Sequence, residues 1–294
     1  MRPILPGSRG PAVEDIQRRL LRLGYPLGPT GVDGVFLGMT TDAVRSFQTT
    51  LGLSEDGVVG DETWAALVDE TFTIGDRTLY LRLPHFHGKD VSLAQEALNA
   101  LGFVCGDLDA IFGAHTERAV REFQRNSGIP ADGILGAATI GALKALRHVW
   151  EGKDSKVPTG ALSGPARSTE VLSRLRLRIG SSEPATTVIA DRVVNLAQAS
   201  APGCSIRRED DRDAPVDGLL VTIAMHGTQP PGLPIVSLGL DSSAALAKRL
   251  VTALEVGASA GLRVELPASD AAYEPESAQR IAVRLLDGLC TALA

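Results

Sequence analysis

Aromatic side chains are scarce. Phe, Trp and Tyr together make up 4% of the chain, so any core must rest on Leu, Val, Ile and Ala. Cysteine is scarcer still: Cys105, Cys204 and Cys290 are an odd number at wide spacing. That pattern fits free thiols in a reducing compartment better than a disulfide framework. No stretch approaches the ~20 consecutive apolar residues that a membrane-spanning helix needs, so no membrane span is expected. The opening residues, MRPILPGSRGPAVEDIQ, lack the apolar region of a secretory signal; taken as the native start, they point to the cytoplasm. An excess of positive charge is also missing. The formal net charge is -6, which argues against a phosphate-tracking nucleic-acid binder.

What the chain does have is a repeat. Its 294 residues allow two or three domains at roughly 100–200 residues each. Asp33, Phe36, Thr40, Ala43, Val44, Phe47 and Gln48 recur in order and spacing as Asp109, Phe112, Thr116, Ala119, Val120, Phe123 and Gln124. The match continues through Gly52, Asp56, Gly57, Gly60, Thr63 and Leu67 against Gly128, Asp132, Gly133, Gly136, Thr139 and Leu143. Upstream, Gln17, Leu20, Leu23 and Gly24 match Gln95, Leu98, Leu101 and Gly102, with extra residues of the first copy falling in the Gly/Pro-rich loop 26–32. A surface turn tolerates such an insertion.

Each copy reads as three helices. Val13, Ile16, Leu20 and Leu23 share one helical face, with Gly24 as a stop. Thr40 or Thr41 is the expected cap of a second helix carrying Ala43, Val44, Phe47 and Leu51, and Asp61 of a third through Trp64 and Leu67. The second copy follows with 91–101, 116–127 and 137–146. Most recurring residues suit core or turn positions. The recurring polar residues Gln48, Asp56, Gln124 and Asp132 are the candidate ligand contacts, although capping and turn formation account for the aspartates equally well.

Between the copies, Thr78, Tyr80 and Arg82 alternate with Leu79, Leu81 and Leu83, which predicts a short strand or extended link. His85 and His87 follow without a partnering Cys or His pair, and read as loop histidines rather than zinc ligands. Residues 151–170 are polar and rich in Gly, Ser and Pro, as a linker is. From 171 the texture changes. Strands are expected at Leu175–Ile179, Leu219–Met225, Ile235–Leu240 and Leu262–Leu266. Helices are expected around Val188–Ala197, after a cap at Ser242, and over Pro275–Leu293. Alternating strands and helices predict a mostly parallel sheet. The charged run Arg207–Asp213 reads as a solvated loop with local ion pairs. The expected organisation is therefore α plus α/β: repeats at 1–72 and 73–150, a linker at 151–170, and an α/β domain at 171–294.

The runs DGVFLGMTTDAVRSFQTTLGLSEDGVVGDETWAAL and LDAIFGAHTERAVREFQRNSGIPADGILGAATIGAL resemble the peptidoglycan-binding repeat. Two such repeats followed by an α/β domain resemble the actinobacterial zinc N-acetylmuramoyl-L-alanine amidases and their CwlM-type relatives. The resemblance implies a zinc ligand at His226, in VTIAMHG, a second at Glu183, and a catalytic carboxylate at Glu265, in RVELP. The family's first ligand sits in Asp-Pro-Gly-His-Gly-Gly; this chain has LRLRIGSSEP there, with no His. A hydrolytic zinc site uses three protein ligands and an activated water. The expectation is thus a degenerate, non-catalytic amidase-like domain without a metal cofactor, on a protein that binds peptidoglycan or its precursors. A cell-wall synthesis protein is a further expected partner, and wall association is the alternative to the cytoplasm. The rival readings are an active zinc amidase and a protein-interaction scaffold.

Overall fold

The computed structural model describes residues 3–152, 167–181, 183–227, 233–238, 243–257, 261–266 and 274–294. Most of the expected linker, the expected cap Ser242 and the end of the strand expected at Ile235–Leu240 lie outside these residues. The architecture is α plus α/β, and the chain divides into two compact units. One is Met1–Arg77 with His87–Ala94; the other is Thr78–Phe86 with Gln95–Ala294.

The first copy contains α1 (Pro11–Arg22), α2 (Gly38–Leu51) and α3 (Asp61–Thr71). Pro11 occupies the first turn of α1, where its missing N–H costs nothing. Val13, Ile16 and Leu20 point inward, and meet Phe36, Val44, Phe47 and Leu67 in one buried cluster. Gly52 ends α2 in the left-handed conformation, φ 67°, which a residue with a Cβ adopts at a cost. The expected threonine caps do not form. Leu37 is the N-cap of α2 and Gly60 that of α3, neither with a side-chain cap bond. Thr41 instead donates to the Leu37 carbonyl, and Thr40 is buried as an acceptor for Gln17.

The second copy contains α4 (Lys89–Ala100), α5 (Ala114–Asn126) and α6 (Ala137–Ala145). An edge-to-face aromatic pair occupies the same place in each copy: Tyr25 on Phe47, centroids 5.7 Å apart, and Phe103 on Phe123 at 5.5 Å. Phe36 and Phe112, also buried, occupy a second matching position in the two copies. The link 78–83 does not pair as a full strand. Leu79 makes one antiparallel bridge with Leu135, and Leu79 and Leu81 are buried. Its charged and aromatic side chains instead stack on each other, Arg82 over Phe86 at 3.9 Å.

A short helix α7 (Arg147–Trp150) closes the second copy, and α8 (Thr169–Arg174) opens the α/β part, capped by Ser168. There follow β1 (Arg176–Ser181), α9 (Pro184–Ser200), β2 (Ser205–Arg208), β3 (Leu219–Met225), β4 (Ile235–Ser237), α10 (Ser243–Gly257), β5 (Leu262–Leu266) and α11 (Pro275–Ala292). The strands form one sheet in the order β2-β1-β3-β5-β4, and every pairing is parallel. β2 takes up Arg207 and Arg208, the first part of the run read as a loop. A short, charged edge strand carries no alternation to reveal it. β5 is buried throughout, as a central strand of a parallel sheet is. α9 packs on β1, β2, β3 and α11, and α10 on β4, β5 and α11.

Candidate functional site

The recurring glutamines are the centre of a repeated polar knot. In the first copy, the Gln48 amide Nε2 donates to Asp56 Oδ1 at 2.8 Å, the Val58 carbonyl at 3.0 Å and Thr63 Oγ1 at 3.1 Å. Its Oε1 accepts from the Gly57 N–H at 2.9 Å. Asp56 Oδ1 also accepts from the Val58 N–H, closing the Asp-Gly turn. In the second copy Gln124 repeats every bond, to Asp132 at 2.7 Å, the Ile134 carbonyl at 3.1 Å, Thr139 at 3.0 Å and from Gly133 N–H at 2.8 Å. Both glutamines are buried. A buried amide must fill its bonds, and these do so inside their own repeat.

The same knot occurs once more in each copy. Gln17 bonds Asp33, the Val35 carbonyl and Thr40, and accepts from the Gly34 N–H. Gln95 bonds Asp109, the Ile111 carbonyl and Thr116, and accepts from the Ala110 N–H. Ala110 stands where the other knots have Gly, and it adopts a positive φ of 58°. The signal was in the sequence: Gln, then Asp-Gly (Asp-Ala at Asp109), then Thr recurs within each copy as well as between copies. Hydrogen bonds from the Val58 N–H and from Gln48 hold the Asp56 carboxyl below its ordinary value, and Gln17 and the Val35 N–H do the same for Asp33.

The second copy's knot borders a cavity of about 260 Å³. Gln124, Asp132 and Thr139 form its polar wall, Ile129 and Ile134 its apolar one, and Arg280 of α11 its remaining side. Arg280 Nε donates to Asp132 Oδ2 at 3.3 Å, the oxygen that the knot does not use. The periodicity of α11 did not single out Arg280.

A second cluster lies at the carboxyl ends of β1, β3 and β5, where ligands gather in open α/β sheets. His226 follows β3, and its Nδ1 is 3.0 Å from Glu265 Oε2 on β5. Glu265 Oε1 accepts from Arg263 Nε at 3.2 Å. Glu183 is the N-cap of α9, in a reciprocal capping box with Thr186, and its Oε2 accepts from the Met225 N–H at 3.3 Å. The three residues named from the sequence are thus brought to one edge of the sheet. Glu265, the carboxylate named as catalytic, is held there by an imidazole and a guanidinium. Among the described residues no group of three His, Cys, Asp or Glu could hold a metal ion.

His87 Nδ1 is 2.9 Å from Asp69 Oδ2, and Arg77 binds Asp90 at 2.8 Å in the same unit. The three cysteines are free, and burial pushes the Cys105 thiol up to about 12 and Cys290 to about 11. Among the described residues no helix is long and apolar enough to cross a membrane.

Residues 9–67 and 87–143 match the family described as "Putative peptidoglycan binding domain". Over 149 residues the chain is 36% identical to the N-acetylmuramoyl-L-alanine amidase CwlM of Mycobacterium tuberculosis, covering 48% of this chain and 37% of that protein. Over 160 residues it is 32% identical to the N-acetylmuramoyl-L-alanine amidase CwlL of Bacillus licheniformis, covering 48% of this chain and 44% of that protein. A solved peptidoglycan-binding protein from Clostridioides difficile, in complex with glutamine hydroxamate, shares 40% identity over 23% of this chain and 41% of its own, with a TM-score of 0.22. The chain spans less than half the length of these amidase relatives. The two helical copies are a tandem of peptidoglycan-binding repeats with an amidase-like relationship.

Proposed function

We propose that this protein binds peptidoglycan or its precursors through the tandem repeats, and that its α/β domain is a non-hydrolytic partner of that binding. The observation that carries the reading is the match of both copies to the peptidoglycan-binding family, with the knot intact in each. In this reading Gln48, Asp56, Gln124 and Asp132 fix the Asp-Gly loops on which the ligand is read. The hydrogen bonds that Glu265 makes with His226 and Arg263 support the non-hydrolytic reading of the α/β domain. Such a protein acts in wall metabolism as a regulator, in the cytoplasm through a wall-synthesis protein or at the wall itself. Co-sedimentation of the full chain with purified peptidoglycan tests the binding: saturable pelleting is expected, and recovery of all protein in the supernatant overturns it. Fractionation of the native cell decides between the two locations.

The convergence of Glu183, His226 and Glu265 on one edge favours one rival, an active zinc amidase. It requires about one tightly held zinc per chain and release of peptide from peptidoglycan, abolished in His226→Ala. Absence of hydrolysis by zinc-reconstituted protein eliminates it.

A further inference from the structure

The two copies share their knots but not their surroundings. Asp56 of the first copy lies in the unit Met1–Arg77 with His87–Ala94, whereas Asp132 has a cation from the α/β domain against its outer oxygen. That cation, Arg280, closes the cavity that Gln124, Asp132 and Thr139 open. We propose that this cavity is a binding site for the end of a peptide: a terminal carboxylate paired with Arg280, an N–H given to Asp132, and a small aliphatic side chain against Ile129 and Ile134. The inference rests on the peptidoglycan-binding reading and narrows it to the peptide part of that polymer, with the α/β domain supplying the residue that sets specificity.

Four observations support this. The cavity holds about 260 Å³, below the ~300–1,000 Å³ typical of drug-sized ligands, so it suits one or two small residues rather than a glycan chain. Its walls combine one cation, one carboxylate and aliphatic groups, the complement of an amino-acid terminus. None of its lining residues is aromatic, so it offers no platform for the face of a sugar ring. The Arg280 side chain is 47% exposed and the Asp132 side chain 12%. The guanidinium is therefore at the rim, where a ligand meets it first, and the carboxylate is deeper. A guanidinium pairs with a carboxylate through parallel N–H donors, which gives direction as well as charge.

The test uses the full chain and two probes, N-acetyl-alanyl-alanine as the free acid and as the C-terminal amide, in both D and L forms, followed by calorimetry. The acid is expected to bind at least ~10-fold more tightly than the amide, the scale of one charge-assisted bond. Arg280→Gln is expected to remove that preference, and Arg280→Lys to restore part of it. Thermal melts of both variants within a few degrees of the parent exclude unfolding as the cause. Equal binding of acid and amide, or a preference that survives Arg280→Gln, overturns the proposal. So does binding of a peptide-free disaccharide together with failure of every dipeptide. Co-sedimentation with peptidoglycan separates the two levels: pelleting without dipeptide binding sinks this inference and leaves the broader reading standing, while loss of both sinks the two together.

Discussion

Gln48 and Gln124 each fill four hydrogen bonds from a single amide, two with the backbone of an Asp-Gly turn and two with the Asp and Thr side chains beside it. Removing the Gln124 amide leaves the buried Gly133 N–H without its partner, while the Ile134 carbonyl keeps its bond from Thr139. One such orphan costs about 1–3 kcal/mol, so Gln124→Ala is expected to lower stability by about 1–3 kcal/mol, seen as a lower urea midpoint of the full chain. Gln124→Glu is expected to do at least as much harm, because it loses the donor and sets a second carboxylate on Asp132. The same knots create a pH dependence. Asp56 and Asp33 titrate lower in the folded protein than in the unfolded one. Their stabilisation is therefore complete above the ordinary carboxylate value of about 4 and is lost as pH falls through the lowered folded value. Stability measured from pH 6 down to pH 2 is expected to fall below about pH 4, and the Asp56→Asn variant to fall less steeply.

At the level of elements, the sheet depends on how closely β5 lies beside β3. Gly261 precedes β5 with φ +114°, and a Cβ there would stand 2.6 Å from the Leu220 carbonyl oxygen of β3. Both strain and clash oppose any side chain. Gly261→Ala is expected to destabilise the fold by about 2 kcal/mol or more, with loss of the helical signal at a lower temperature. Because β5 also carries Glu265, a shift of that strand is expected to pull Glu265 from His226, detectable as a change in the His226 ring resonances. The helices of the repeats behave differently. Their starts rest on backbone geometry at Leu37, Gly60, Gly113 and Gly136, with no side-chain cap among them. Of the two threonines expected as caps of α2, Thr40 is an acceptor for Gln17 and Thr41 donates to the Leu37 carbonyl.

On the scale of the whole molecule, the second repeat from Gln95 onward lies in one unit with the α/β domain, and a buried ionic network ties α5 to α11 within it. Arg167 pairs with Glu117 of α5 and with Asp287 of α11, which in turn takes Arg121 at 3.0 Å. Burial raises the Asp287 carboxyl, but Arg167 and Arg121 outweigh it and the net shift is downward. Asp287 therefore adds stability above the ordinary carboxylate range that is lost on acidification through its folded value. Removing one member strands its partners away from water. Arg167→Met is expected to destabilise this unit by about 3–5 kcal/mol, while the triple change with Glu117→Gln and Asp287→Asn recovers much of the loss, as a denaturation cycle would show. A second clasp is made by Asn195 of α9, which bonds both the N–H and the carbonyl of Leu83. The second repeat is thereby built into the domain that follows it.

The repeat was legible because its determinants are local. Apolar spacing sets each helix, Asp-Gly sets each turn, and both recur at fixed distances along the chain. The parallel sheet followed from the alternation of strands and helices, with β2 missed because four residues with two arginines at an edge carry no pattern. Even the polar knots were written in the recurrence of Gln, Asp-Gly and Thr, though their hydrogen bonds appear only when α1 or α2 folds back over its own turn. The tertiary structure alone decided which distant residues meet. Arg280 reaches Asp132 across 148 positions, and Arg121 reaches Asp287 across 166. No periodicity encodes such contacts, because they depend on how whole elements pack once their apolar faces are buried. Packing also set His226, after β3, beside Glu265 of β5, whereas Arg263 lies beside Glu265 through the two-residue period of the strand itself.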